Sequence, residues 1–346
     1  MADLSPQPHP EPTPPSRSSI LVAAARAFGS REPDQTIRNP DLLADRLIGP
    51  DELVLLGDHP LAKALEQDCA EASQIPAVVG FAWLMLLRTR FIDDALERAI
   101  KNGATQVVIL GAGFDTRAYR FQELLKDCKV FEVDAAPTQE YKRRRVAMAL
   151  PDLPQNLNHV KVDFAKDDLG DALRTAGLKQ NEKTFYIWEG VTMYLPDECV
   201  RKTLQTLASL SVPRSSVVLD YVNSLGIELG KFTPQGAGGL PASWGEPWIF
   251  GVPGANGSEF FHELGFDPGV PVVINHPDLV KRYMVGKDGV TYGAHVFEKA
   301  RAAAEAKAKE AAQSPPPPPP EALAELRKAI TAAGGVYWLA EITVRP

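Results

Sequence analysis

The chain has 346 residues, 45% of them hydrophobic and 23% charged, a composition that excludes wholesale disorder, a collagen-like repeat and a disulfide scaffold. A formal net charge of −7 gives no long-range pull toward nucleic acid or anionic lipid, so small-molecule or peptide substrates are expected and neither nucleic acid nor a membrane is an expected partner. No apolar run approaches the roughly 20 residues that cross a bilayer, and the first residues lack an apolar signal segment, so a cytoplasmic location is expected.

Residues 5 to 16 carry six prolines, and residues 1–18 are expected to be a disordered Pro-rich arm. The single domain then runs over 19–346 and opens with a helical cap, 19–102. SILVAAARAF (19 to 28) is helical in character, and IPAVVGFAWLMLLRTRFIDDALERAI (75 to 100) is long enough for one or two packed helices, opened by Pro76.

After Gly103 the pattern changes to short β-branched runs alternating with helical stretches, the arrangement that sets helices on both faces of a parallel sheet. The expected strands of this 103–222 core are 106 to 110, 129 to 133, 159 to 162, 184 to 188 and 216 to 222. Helices are expected near 115 to 127, 137 to 148, 167 to 176 and 196 to 210, the last with Pro196 at its start and Asp197 and Glu198 in its first turn.

Residues 223–256 are rich in Gly, Pro and aromatics without periodicity, which suits a substrate-side cover. SEFFHELGF suggests a short helix, GVPVV a strand and VYWLAEITV (336 to 344) a final strand. Between these two strands lies a 296–333 insertion of helix, Pro315 to Pro320 as a stiff polyproline spacer, and a second helix from Glu321.

The densest chemical signal is VVILGAGFDTRAYRF, 107 to 121, where a strand runs through Gly111 and Gly113 into a helix. Glycines there allow close approach of a ligand to the backbone and to the unpaired N–H groups of a helix start. A dinucleotide turn and an adenosyl-cofactor turn both fit, although Thr116 stands where the third dinucleotide glycine belongs. Twenty-one residues after Gly113, Asp134 closes the second strand, where a carboxylate can accept both hydroxyls of a ribose. Asp163-Phe164 closes the third strand, suited to adenine, and Glu189 the fourth, with Tyr194 five residues on. In open α/β sheets ligands bind off these carboxyl ends. Cys69, Cys128 and Cys199 show no C-x-x-C pairing, and His9, His59, His159, His262, His276 and His295 form no i, i+3 or i, i+4 set, so no metal site is expected.

Taken in order, VVILGAGFDTRAYRF, FEVDAAPTQEYKRRRV, HVKVDF and WEGVTMYLP resemble the leucine carboxyl methyltransferase family of class I S-adenosylmethionine-dependent methyltransferases, and within it the O-methyltransferase branch. The resemblance covers roughly 19 to 222. It implies an α/β, doubly wound, seven-stranded methyltransferase (Rossmann-like) sheet with an N-terminal helical cap and a C-terminal insertion, and S-adenosyl-L-methionine as cofactor. By the same resemblance Gly111 and Gly113 line the methionine portion, Asp134 binds ribose, Asp163 and Phe164 bind adenine, and Glu189 lies beside the cofactor amino group. Arg88 in LLRTRFIDD matches the basic position near the cofactor carboxylate, with Arg90 in reserve. Arg88 and Tyr194 are the catalytic candidates. Asn39-Pro40 departs from the family's usual Asp-Pro, and the 296–333 insertion is longer than usual.

The implied activity is methyl transfer to an oxygen of a small molecule. A carboxyl methyltransferase acting on a protein C-terminus or small acid is the alternative, and a cofactor-binding protein without turnover and an NAD-dependent oxidoreductase stay open. The Asn/Asp-Pro-Pro-Tyr loop of amine and base methylation is replaced by Glu189-Gly190-Val191-Thr192.

Overall fold

The computed structural model describes residues 14–58, 60–66, 69–233, 239–311 and 320–346. Its strands are β1 (Gln106–Leu110), β2 (Lys129–Asp134), β3 (Leu157–Lys161), β4 (Thr184–Trp188), β5 (Ser216–Val222), β6 (Phe266–Asp267), β7 (Val272–Val273) and β8 (Tyr337–Val344). They hydrogen-bond in the order β3-β2-β1-β4-β5-β8-β6, with β7 also on β8.

β1 is buried along its whole length because helices cover both faces of the sheet, which is why its sequence is an unbroken apolar run. Side chains alternate sides along a strand. Val107 and Ile109 accordingly join one core with the N-terminal cap, and Val108 and Leu110 join a second core on the opposite face. The strands from β3 to β5 are parallel, whereas β8 returns antiparallel to β5. The strand order reverses between β1 and β4, which opens a crevice at their carboxyl ends.

The seventh sheet position is split. β6 pairs with Val344 and Thr343, and β7 with Leu339 and Trp338, along the same strand β8. They are two pieces of one interrupted edge strand. Gly269, with φ +57°, lies in the interruption, where a Cβ would come to 3.0 Å from the Glu341 carbonyl oxygen.

The first helix runs Arg17–Ser30, two residues earlier than its sequence suggests, because Ser16 Oγ accepts the Ser19 N–H at 3.2 Å. The inner end of the expected arm, Arg17 and Ser18, is therefore helix, while 1–13 lie outside the described residues. Short helices occupy 44 to 72, inside the expected helical cap. The second helical region is one helix, Pro76–Lys101, packed on the first.

The helix expected over 115 to 127 shrinks to Arg117–Arg120. Asp115 takes the Arg117 N–H at 2.7 Å, and both arginine side chains are tied to Asp93 below, so the chain turns back to β2. The cover carries two short helices, Ser224–Gly230 and Leu240–Ser243, with 234–238 outside the described residues. In the insertion, helices Ala294–Ala311 and Glu321–Ala333 are present, the second closed by Gly334 at φ +85°. Pro315 to Pro319 lie outside the described residues. No described helix is long and apolar enough to cross a membrane.

Candidate functional site

A cavity of about 860 Å³ opens off the carboxyl ends of the parallel strands, floored by Gly111–Asp115, Asp134, Asp163, Phe164 and Glu189. Its walls come from the first helix, from Phe81 to Arg88 of the long helix and from Pro241 to Ile249 of the cover. That volume is near the upper end of the roughly 300–1,000 Å³ of small-molecule sites. It has room for a nucleoside-sized cofactor together with a second molecule.

Gly111 sits at φ +62°, and a Cβ there would approach Val191 Cγ2 to 2.3 Å. Glycine is thus required both by backbone conformation and by the space it leaves. Asp134 fixes the turn from the adjacent strand, accepting the Gly113 N–H at 2.5 Å and the Ala135 N–H at 2.7 Å. Burial pushes its carboxyl up to about 6 despite those two donors. It is a carboxylate short of partners. Asp163 also lines the cavity, but its oxygens accept from Ala165 N at 3.0 Å and Lys166 Nζ at 2.6 Å, which hold its carboxyl below the usual range. Phe164 packs on Trp188 at 6.5 Å between ring centres.

Glu189, at the end of β4, lies at the centre of a buried ion network. Its Oε1 accepts from Arg88 Nε at 2.7 Å and its Oε2 from Arg117 Nη1 at 2.5 Å. Arg88 also donates to Asp220 at 3.1 Å and to the Tyr337 hydroxyl at 2.9 Å. Arg117 reaches Asp93 at 2.7 Å and pairs with Asp115. Arg120 continues to Asp93 at 3.0 Å and Asp41 at 3.5 Å, and Asp41 pairs with Arg26 at 2.8 Å. Four arginines thus face five carboxylates (Asp41, Asp93, Asp115, Glu189, Asp220), leaving one negative charge in surplus. The two guanidiniums against Glu189 hold its carboxyl far below the usual range, outweighing its burial. Asn39, where the family pattern has Asp, takes the Asp41 N–H at 3.0 Å and so forms the turn that presents Asp41.

The expected site residues Arg88, Gly111, Gly113, Asp134, Asp163, Phe164, Glu189 and Tyr194 all line this one cavity. Arg90 does not line it; its guanidinium caps the carbonyls of Gln35 and Arg38 at 3.0 and 2.8 Å. Tyr194, in the turn Thr192–Tyr194, has its hydroxyl pushed upward by burial and stays protonated at neutral pH. Sequence reasoning missed Arg26, Arg117, Asp220, Tyr337 and Glu246. A signal for Asp220 exists, since an acid inside the apolar run SVVLDYV must find a partner when buried.

The comparisons with known proteins agree with this geometry. The family described as leucine carboxyl methyltransferase matches residues 19–208. A Mycobacterium ulcerans protein named as a candidate S-adenosyl-L-methionine-dependent methyltransferase is 32% identical over 264 residues, 75% of this chain and 77% of that one. A Bacillus subtilis protein with the same description is 32% identical over 218 residues, 60% of this chain and 71% of its own. Among solved structures, the magnesium protoporphyrin IX methyltransferase of Synechocystis aligns over 77% of this chain and 87% of that one, at 11% identity and a TM-score of 0.42. The sheet order, the glycine turn, the acidic strand end, the family match and the Mycobacterium ulcerans and Bacillus subtilis sequence relatives define an S-adenosyl-L-methionine-dependent methyltransferase. The chain belongs to the leucine carboxyl methyltransferase family.

Proposed function

We propose that the protein transfers the methyl group of S-adenosyl-L-methionine to an oxygen of a small, largely apolar molecule. The observation that carries this reading is the wall of the cavity beyond the strand ends. Leu21, Val22, Phe81, Leu84, Met85 and Ile249 supply apolar surface there, while the two lining arginines, Arg26 and Arg88, are already paired with carboxylates. Glu-Gly-Val-Thr after β4, in place of the amine-recognising loop, supports oxygen over nitrogen.

When bound, the cofactor supplies an electrophilic methyl group on a sulfonium. The residues present fit it: Asp134 has lone pairs for ribose hydroxyls, the Gly111 turn leaves open backbone, and Glu189 keeps two of its roughly four lone-pair sites for an ammonium. Arg88 and Arg117 hold Glu189 from behind, and the apolar walls exclude water. Orientation of this kind can supply about 7–11 kcal/mol of the barrier. A second reading, transfer to a carboxylate, is favoured by the lining itself, which among the described residues contains no histidine or lysine to serve as base; an ionised acid needs none. The test is a labelled-methyl screen of phenols, alcohols, small acids and peptide C-termini. Transfer to small oxygen compounds supports the proposal, and transfer to amines or to peptide C-termini alone overturns it.

The strained ionisation of Asp134 has a pH consequence. Its folded pKa is about 6 against an ordinary 3.8, so this group's contribution to ligand-free stability falls as pH rises through that window. Ribose hydroxyls favour the charged form, so binding draws the pKa down and releases a proton. S-adenosylhomocysteine affinity should therefore drop as pH falls below about 6, approaching roughly ten-fold per pH unit. In Asp134→Asn the affinity should be weaker and flat. Calorimetry at several pH values checks this; a flat profile for the unaltered protein would place the ribose elsewhere.

A further inference from the structure

A second cavity, of about 640 Å³, lies between the helix Ala136–Ala149 and the chain that leads into β3. It shares no lining residue with the large cavity at the strand ends. Its polar side is cationic. Of the run Lys142 to Arg145, the two outer members are committed elsewhere, Lys142 to Glu132 at 2.7 Å and Arg145 to Glu52 at 2.9 Å. The two inner members, Arg143 and Arg144, line the cavity, and among the described residues neither guanidinium has an ion pair or a hydrogen bond. Arg144 lies over the Tyr141 ring at 5.6 Å, which uses a face of the guanidinium and leaves its N–H edge free. Glu140, the carboxylate in the lining, is neutralised by Lys161 at 2.6 Å. The charges of Arg143 and Arg144 are therefore left uncompensated.

The remaining wall adds a ring nitrogen and apolar surface. His159 turns its Nδ1 edge inward, 3.5 Å from Glu132 Oε2 and shielded from solvent, so the edge that meets the cavity carries Nε2. A ring nitrogen there can share a proton with a phosphate oxygen. Val146, Leu153, Pro154 and Leu157 supply the apolar part. Leu153 keeps 48% of its surface exposed, area that a bound apolar group would remove from water. Two unpaired guanidiniums match a phosphate monoester, which carries about −1.5 to −2 charges at neutral pH, better than a carboxylate with one.

We infer that this cavity is a second ligand site, for a phosphate monoester on a compact apolar body, with Arg143 and Arg144 on the phosphate and the Leu153 wall against the body. The site stands apart from the methyl-transfer cavity and does not depend on which oxygen is methylated there.

The test uses the full chain saturated with S-adenosylhomocysteine, so that the large cavity is occupied, and calorimetry with three probes: phenyl phosphate, inorganic phosphate and benzoate. Phenyl phosphate should bind about ten-fold more tightly than either, gaining ring burial over inorganic phosphate and charge over benzoate. Arg143→Gln/Arg144→Gln should weaken it by about ten-fold or more, with S-adenosylhomocysteine affinity and melting temperature retained. Leu153→Asn should erase the preference over inorganic phosphate. Lys231→Gln/Lys328→Gln removes the same charge from exposed lysines paired with Glu228 and Glu325, and it should bind phenyl phosphate like the unaltered protein. Equal losses in the two double variants would reduce the effect to overall charge and overturn the inference, as would benzoate binding as tightly as phenyl phosphate or no binding of phenyl phosphate. Vesicles of phosphatidylcholine and phosphatidic acid present the same phosphate on a membrane; capture by them without binding of phenyl phosphate would overturn the reading of a soluble ligand.

Discussion

Lys142→Ala is expected to destabilise the protein by about 3–5 kcal/mol, the range for breaking one side of a buried ion pair. Lys142 and Glu132 are each only 1% exposed, with Nζ and Oε1 2.7 Å apart. The lysine also reaches the Ala112 carbonyl in the glycine turn, at 3.4 Å. Removing it leaves Glu132 facing the Tyr119 hydroxyl at 3.4 Å and His159 Nδ1 at 3.5 Å, too long to satisfy a buried carboxylate. Lys142 is what holds the Glu132 carboxyl below its usual range against burial. A depressed acid contributes stability above its unfolded pKa and loses it in acid. In Lys142→Ala that contribution should vanish at neutral pH, and mild acid should close part of the gap to the unaltered protein. Thermal melts at two pH values check both statements. The double variant Lys142→Met/Glu132→Leu should recover most of the loss, because it removes the stranded charge and refills the space. A single variant melting like the unaltered protein would show that solvent reaches Glu132.

The cofactor-binding half of the molecule was legible because its signals are local. A strand covered on both faces is a continuous apolar run, and the ligand side announces itself by Gly111, Asp134, Asp163 and Glu189 at successive strand ends. The ion network was not legible, since its members run from Arg26 to Asp220 and only the fold joins them. Arg117 stood inside the quoted glycine-turn string, yet nothing local shows that it shares Glu189 with Arg88. The same network explains the overlong helix at 115 to 127: helical periodicity was present, but Arg117 and Arg120 are committed to Asp93. Short helices between 44 and 72 lack the length that makes a 3.6-residue period readable. Glu246 capping a helix that lies more than 220 positions earlier in the chain leaves no trace in sequence.

Glu189→Gln should weaken S-adenosylhomocysteine binding by about 10- to 100-fold, as expected when a hydrogen bond to a charged group is lost in a buried site. Two effects act together. The amide turns one acceptor oxygen into a donor, which points a partial positive charge at Arg88 or Arg117, both now at 2.7 and 2.5 Å from carboxylate oxygens. The variant also cancels the surplus negative charge, four arginines against four carboxylates, that suits a cationic cofactor. Stability should fall by only about 2 kcal/mol, less than for an orphaned charge, because Arg88 keeps Asp220 and Arg117 keeps Asp93 and Asp115. Turnover should drop by about a hundred-fold or more, since small misplacements of reacting groups cost that much. Asp93→Asn separates contact from charge: it removes the same formal charge from the network but does not line the cavity. It should lose similar stability and only a few-fold in affinity, because effective screening weakens a charge one partner removed. Equal affinity losses in the two variants would make the network's charge, not Glu189's own oxygens, the binding determinant, and native affinity in Glu189→Gln would remove the residue from the site.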